Sequence, residues 1–176
     1  MGAIRKLAFL AILAAATFFG TQQLGFFTGL DSLAAIDARY GLSDGQLVPA
    51  EPAQVGKYEA ELEAFSSGLL VSDGARKIAA VKLELAQMQK SMLAFREHSG
   101  RISFTSPDCA AAGPVALARR DAQTALAHVR AAAQKRAQLG QAMSFKPITG
   151  KDFETTIVAA TDALNNSVNS LDSLCA

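Results

Sequence analysis

The sequence contains few of the residues that mark a catalytic or redox protein. It has two cysteines, two histidines and no tryptophan among its 176 residues. It contains no Cys-x-x-Cys pair, phosphate-binding glycine loop, nucleophile elbow or metalloprotease helix, and its Cys and His residues lack metal-ligand spacing. We therefore expect a protein that is not an enzyme, with no catalytic residues, no cofactor and no metal site.

The chain also lacks an excess of either charge. Its formal net charge is +1, which argues against binding of nucleic acid by the chain as a whole. Alanine is abundant, and the glycines and the five prolines concentrate at a few places. This composition is typical of an all-α protein whose helices pack closely.

One long stretch has no charge at all. Arg5 and Lys6 precede 24 uncharged residues, from Leu7 to Leu30. A helix of that length spans about 36 Å, enough to cross a hydrocarbon core of ~30 Å. The sequence therefore predicts a transmembrane anchor over residues 1–30. The densest apolar part, 7–19, has the length of a signal-peptide core and contains small residues at 14–16, so a cleaved signal segment is the alternative.

The charges beside this segment predict its orientation. Positive residues stay on the cytoplasmic side of a membrane. With Arg5 and Lys6 before the apolar run, we expect a single-pass protein whose N-terminus is cytoplasmic and whose bulk is extracytoplasmic. After cleavage, the same bulk would be secreted or periplasmic.

Residues 31–53 are predicted to form a short amphipathic helix, ending at Gly41, and a linker rich in Gly and Pro. Residues 54–176 are predicted to be an exported antiparallel bundle of three or four helices. Helices are expected over 54–71, with Leu62, Phe65 and Leu69 on one face, and over 75–98, about 114–142 and about 151–174. Gly100 and the loop that carries Pro107 and Gly113 separate the second and third of these.

The clearest pattern is a coiled-coil-like seam in the helix over 75–98. Its apolar residues are three and four positions apart, as in the a and d positions of a heptad. They are Ile78, Val81, Leu85, Met88, Met92 and Phe95. The seam of the preceding helix is out of phase with them, which predicts a turn or kink at Ser72-Asp73-Gly74.

Small and apolar residues define the inner faces of the last two helices. On the helix that starts at Pro114 they are Val115, Ala118, Ala122, Ala125, Val129 and Ala132, with Leu126 beside them. On the last helix they are Phe153, Ile157, Ala160, Leu164, Val168 and Leu171.

Cys109 and Cys175 are predicted to form a disulfide. In an exported chain a cysteine pair is a disulfide candidate. If the last three helices alternate in direction, both cysteines lie at the same end of the bundle. The alternatives are two buried thiols, or a reactive Cys109 near a helix N-terminus.

The basic residues of the third bundle helix form a candidate interaction face. Residues 114–147 carry six bases and one acid, whereas 31–63 carry seven acids and two bases. The face could dock an acidic partner or anionic headgroups, but solvated surfaces that attract weakly are the simpler interpretation. Its residues are Arg119, Arg120, Arg130, Lys135 and Arg136.

His98 and His128, with the methionines, could in principle hold a haem or copper ion, but core or surface roles are favoured. The last helix has a polar face that is nearly uncharged, which fits either cover by a partner or the ordinary surface of an exported protein.

We expect a membrane-anchored or secreted structural or interaction subunit of an envelope or extracellular assembly, with a protein partner or a second copy of itself. A sensor or small-ligand-binding bundle is the first alternative, and a thiol or redox enzyme is the second.

Overall fold

The computed structural model describes residues 29–42, 46–139 and 151–176. Within those ranges the protein is all-α, as predicted, with five helices and no strand. The helices are α1 (29–39), α2 (Pro52–Ser66), α3 (Asp73–Ser99), α4 (Pro114–Ala137) and α5 (Lys151–Leu174). The main helix contacts join α2 to α3, α3 to α4, and α4 to α5.

The first helix packs on the bundle instead of standing apart from it. Leu33 and Ile36 are buried, and Gly41, with a positive φ of 67°, follows the end of the helix. A Cβ on Gly29 would lie 2.5 Å from the Cβ of Ala75, so only glycine allows this close approach of α1 to α3. Since Gly29 lies near the start of α3 and Asp37 contacts Lys82, α1 runs parallel to α3.

The second helix is shorter than the predicted 54–71. It ends at Ser66, where the hydroxyl groups of Ser66 and Ser67 bond to carbonyls of the last turn and Gly68 follows. Leu62 is buried as predicted and Phe65 partly buried, but Leu69 lies beyond the helix and is exposed, so its assignment to the inner face was wrong.

The third helix begins at the predicted turn. The Ser72 side chain accepts a hydrogen bond from the backbone N–H of Ala75, a capping contact that satisfies one unpaired donor of the first turn. Four of the seam residues are buried and two, Met92 and Phe95, are partly buried against the core. The four buried ones are Ile78, Val81, Leu85 and Met88.

The inner faces of the fourth and fifth helices follow the predicted pattern, although α4 ends at Ala137, before the predicted end near 142. Proline occupies the first turn of α4, and its predicted small inner residues are all buried. On α5, four of the predicted inner residues are buried and Ala160 and Val168 are partly buried. The buried ones are Phe153, Ile157, Leu164 and Leu171. Small residues on α4 let the helix backbones approach, which compensates for their modest individual apolar area.

Two ends of the bundle can be distinguished. The proximal end holds the start of α1, the loop 67–72 and the start of α3. The distal end holds the loop 100–113, the start of α4 and the end of α5. The predicted disulfide joins Cys109 and Cys175 at the distal end, with their Cα atoms 5.8 Å apart.

The predicted anchor, residues 1–30 with its flank Arg5 and Lys6, lies outside the described residues except for Gly29 and Leu30, which belong to α1. Among the helices that the structure describes, none has both the length and the apolar character needed to cross a membrane.

Candidate functional site

A buried polar cluster joins the first three helices. It consists of Asp37 on α1, Tyr58 on α2 and Lys82 on α3. The Lys82 Nζ lies 2.8 Å from Asp37 Oδ2, and the Tyr58 hydroxyl donates to Asp37 Oδ1 over 2.8 Å. Lys82 also donates to the Tyr58 oxygen at 3.4 Å. Lys82 is 1 % exposed and Asp37 6 % exposed, so the charges meet inside the core.

The cluster changes the acid–base behaviour of its members. Burial lowers the pKa of the Lys82 ammonium, and the neighbouring Asp37 opposes that shift. Burial also raises the pKa of the Tyr58 phenol, and the Asp37 charge and hydrogen bond add to the rise. Groups with such shifts often mark catalytic sites. Here the three groups bond to one another and are closed from solvent, so the geometry suits fixing the position of α1.

A second set of contacts surrounds the cluster at the surface. Tyr40 packs edge-on against Tyr58, with ring centroids 5.2 Å apart, and its hydroxyl donates to Glu61 Oε1 over 2.8 Å. Arg39 forms an ion pair with Glu61. The hydrogen bonds from Arg39 and Tyr40 hold the pKa of the Glu61 carboxyl below its usual range. These contacts close the α1–α2 side of the cluster.

Sequence reasoning missed the buried cluster. Lys82 lies next to the seam residue Val81, at a helix position adjoining the inner face. The one available signal was that Lys82 follows Ile78 by four residues and therefore shares its face. Asp37 likewise follows the buried Leu33 by four residues.

The basic residues of α4 do not form one open face. Arg119 pairs with Asp172 at 2.6 Å and Arg136 with Glu154 at 2.9 Å, both toward α5, while Lys135 pairs with Glu84 on α3. Arg120 and Arg130 are exposed. Three of the five predicted residues are thus paired with neighbouring helices, on two different sides of α4, and Arg120 lies 3.9 Å from Asp121 of α4 itself.

The two histidines bridge α3 and α4. His98 Nδ1 lies 2.6 Å from Asp121 Oδ2, and His128 Nδ1 lies 2.8 Å from Glu84 Oε2. Burial raises the pKa of Glu84, but hydrogen bonds from Lys135 and His128 outweigh it, and the net pKa is lowered. Each histidine therefore has a carboxylate partner, and the methionines of the seam pack against the core.

Within the described ranges no group of three or more metal-binding side chains comes together. Both cysteines of the chain are in the disulfide, which leaves no free thiol for a reactive Cys109.

The outward face of α5 carries few charged side chains. Between 153 and 174, two of the three acidic residues, Glu154 and Asp172, are paired with arginines of α4, which leaves Asp162 as the remaining carboxylate there. The other exposed side chains of that range are small or neutral: Thr155, Thr156, Val158, Ala159, Ala163, Asn166, Asn169, Ser170 and Ser173.

Comparison of the chain with protein-family models, with curated proteins and with solved structures found no match. Its function is therefore argued from its own residues.

Proposed function

We propose that this protein is a non-catalytic, membrane-anchored helical bundle on the extracytoplasmic side, serving as a structural or interaction subunit of an envelope assembly. The observation that carries the proposal is the outward face of α5. A solvated helix usually carries many charges on its outer side. Here two of the acids are neutralised by α4, and the centre of the face is Ala159, Ala163 and Asn166 with a single carboxylate, Asp162, beside them.

The chemistry of this face suits contact with another protein. Interface cores are depleted in charged residues, because burying an unpaired charge is costly. Small side chains such as Ala163 allow a partner helix to approach closely, and the amide and hydroxyl groups of Asn166 and Ser170 supply hydrogen bonds. A partner helix or a second copy of this chain would find few charges to desolvate.

The disulfide supports the compartment. Disulfides persist in oxidising environments and are rare in reducing ones. Cys109 and Cys175 are both exposed, so their bond would be accessible to cellular reductants. Together with the uncharged run that precedes the bundle, this favours an extracytoplasmic bundle. The mass of the mature N-terminus decides between a retained anchor and a cleaved, secreted form.

Site-specific photocrosslinking in native membranes tests the interaction role. A benzoylphenylalanine at Ala163 of the full chain is expected to give one discrete adduct with a protein on irradiation. Ala64 is the matched control, since it is also an exposed alanine but lies on α2. An adduct at Ala163 that disappears when Asn166→Arg is added would support the proposal. Equal labelling at both positions, or none at either, would contradict it.

A further inference from the structure

The proximal end of the bundle carries two neighbouring leucines that no part of the described chain covers. Leu69 is 96 % exposed and Leu70 is 93 % exposed, in the loop between α2 and α3. Single exposed leucines are common on proteins. Two consecutive ones, both almost fully exposed in one short loop, form a compact apolar projection.

This loop lies where the chain enters the bundle. A Cβ placed on Gly29 would be 3.5 Å from Ser72 Oγ and 3.6 Å from Phe65 Cζ. Ser72 ends the loop and Phe65 precedes it, so the first described residue of α1 is adjacent to the loop. A membrane that contained the residues immediately before Gly29 would therefore lie near Leu69 and Leu70.

The residues before Gly29 are the uncharged run Leu7–Thr28. Its 22 residues would span about 33 Å as a helix, which still matches a hydrocarbon core of ~30 Å. Gly29 is buried against the protein, so a membrane segment would end at or before Thr28. The bilayer surface would then begin within a few residues of the loop.

Cationic side chains accompany the leucines. The Arg76 guanidinium donates to the Gly68 carbonyl over 2.8 Å and is itself exposed. Lys77 is exposed on the same turn of α3, where it pairs with Asp73 at 2.6 Å. Apolar side chains that enter the headgroup region with basic residues beside them are typical of interfacial membrane contacts.

We propose that the loop 67–72 is a membrane-contact surface, in which Leu69 and Leu70 insert into the bilayer interface beside the anchor. The inference rests on the proposed membrane anchoring of the chain. It places the proximal end of the bundle against lipid and the distal end, with the disulfide, away from it.

Tryptophan fluorescence tests the arrangement, because the natural chain has no tryptophan and a single introduced one reports its own position. Full-length Leu70→Trp is reconstituted in phosphatidylcholine vesicles with or without brominated acyl chains. We expect a blue-shifted emission that loses most of its intensity in brominated vesicles. Phe104→Trp is the matched control, since Phe104 is 75 % exposed but lies at the distal end, and its emission should be unchanged.

Flotation of the same vesicles separates failure of the inference from failure of the anchor. If the protein floats with the vesicles and the emission of the Leu70→Trp variant is not quenched, the loop contact is wrong while anchoring stands. If the two variants are quenched equally, the bundle lies along the bilayer and the end-on contact is wrong. If the protein does not float, membrane anchoring itself is wrong and the loop contact falls with it.

Discussion

The two outer helices of the bundle, α1 and α5, are attached by different means. The first is held by the buried Leu33 and Ile36 and, in addition, by a charged contact inside the core. That contact is the ion pair between Asp37 and Lys82, with Tyr58 hydrogen-bonded to the same carboxylate. The second is held by a row of apolar side chains, by exposed ion pairs to α4 and by the disulfide at its C-terminal end.

The two attachments should lose stability in different ways when their side chains are substituted. Apolar contacts are roughly proportional to buried area, so α5 should loosen gradually as side chains are trimmed. A buried ion pair is different, because removing one partner leaves an uncompensated charge in the core. The position of α1 is therefore specified by a contact that tolerates very little change.

The largest effect is expected from breaking the buried pair on one side. Lys82→Met leaves the Asp37 carboxylate buried without its ammonium partner, and we expect the free energy of unfolding to fall by about 3–5 kcal/mol. Chemical denaturation of the full chain in detergent micelles measures it, and hydrogen exchange should report the loss of protection first in residues 30–39.

The double variant Asp37→Asn, Lys82→Met is the control for that prediction. It removes both charges, so it should be substantially more stable than Lys82→Met alone. If the loss of stability in the double variant equals the sum of the losses in Asp37→Asn and Lys82→Met, the pair is not the contact that positions α1.

Removing the disulfide should have the next largest effect, on α5. The bond closes a loop of 66 residues, and we expect replacement of Cys109 and Cys175 by serine to cost about 2–4 kcal/mol. The contacts of α1 are distant from this end. The rate at which α1 amides exchange through local opening should therefore be the same with and without the disulfide. An unchanged melting temperature under non-reducing conditions would contradict a stabilising role.

Trimming one apolar contact of α5 should have a graded effect. Ile157→Val removes one buried methyl group and should cost about 0.5–1.5 kcal/mol. Its neighbour on the outward face provides the comparison, since Val158→Ala should stay within about 0.5 kcal/mol of the natural protein. Equal losses for the two variants would show that the outward face is buried in solution, for instance by a second copy.

The smallest effect is expected from lowering the pH, which protonates Glu61 of α2 and weakens its surface contacts with Arg39 and Tyr40. Because Arg39 and Tyr40 lower the pKa of Glu61 in the folded protein, the stability that Glu61 contributes is present above the unfolded value of about 4.5 and is lost as the pH falls through the lower folded pKa. Melting temperatures between neutral and strongly acid pH should fall less steeply for Glu61→Gln than for the natural chain. Identical slopes would contradict the assignment.

Sequence periodicity predicted α3, α4 and α5 well because each has a long inner face of regular spacing. The bounds of α5 and the burial of Phe153 and Leu164 follow directly from that spacing. The disulfide was predicted from helix direction and from the expectation of an oxidising compartment, and the structure contains it. These features depend on local pattern or on simple topology.

The buried cluster was not predictable in the same way. A lysine beside a seam is ordinarily solvated, with its stem along the apolar surface and its charge in water. Only the packing of α1 on α3, which depends on Gly29, brings Asp37 to Lys82. Leu69 was misassigned because helical spacing continues past Ser66, although Ser66, Ser67 and Gly68 favour the end of α2.

The direction of α1 has a mechanical consequence. Asp37 lies about 12 Å along the helix from Gly29, at ~1.5 Å per residue. Because α1 runs parallel to α3, tension applied to the chain before Gly29 along the bundle axis acts on the Asp37–Lys82 contact in shear. All the contacts of α1 then share the load at once, whereas a sideways pull would separate them one turn at a time. The joint between the bundle and its N-terminal segment is thus stiff along one axis and weak across it.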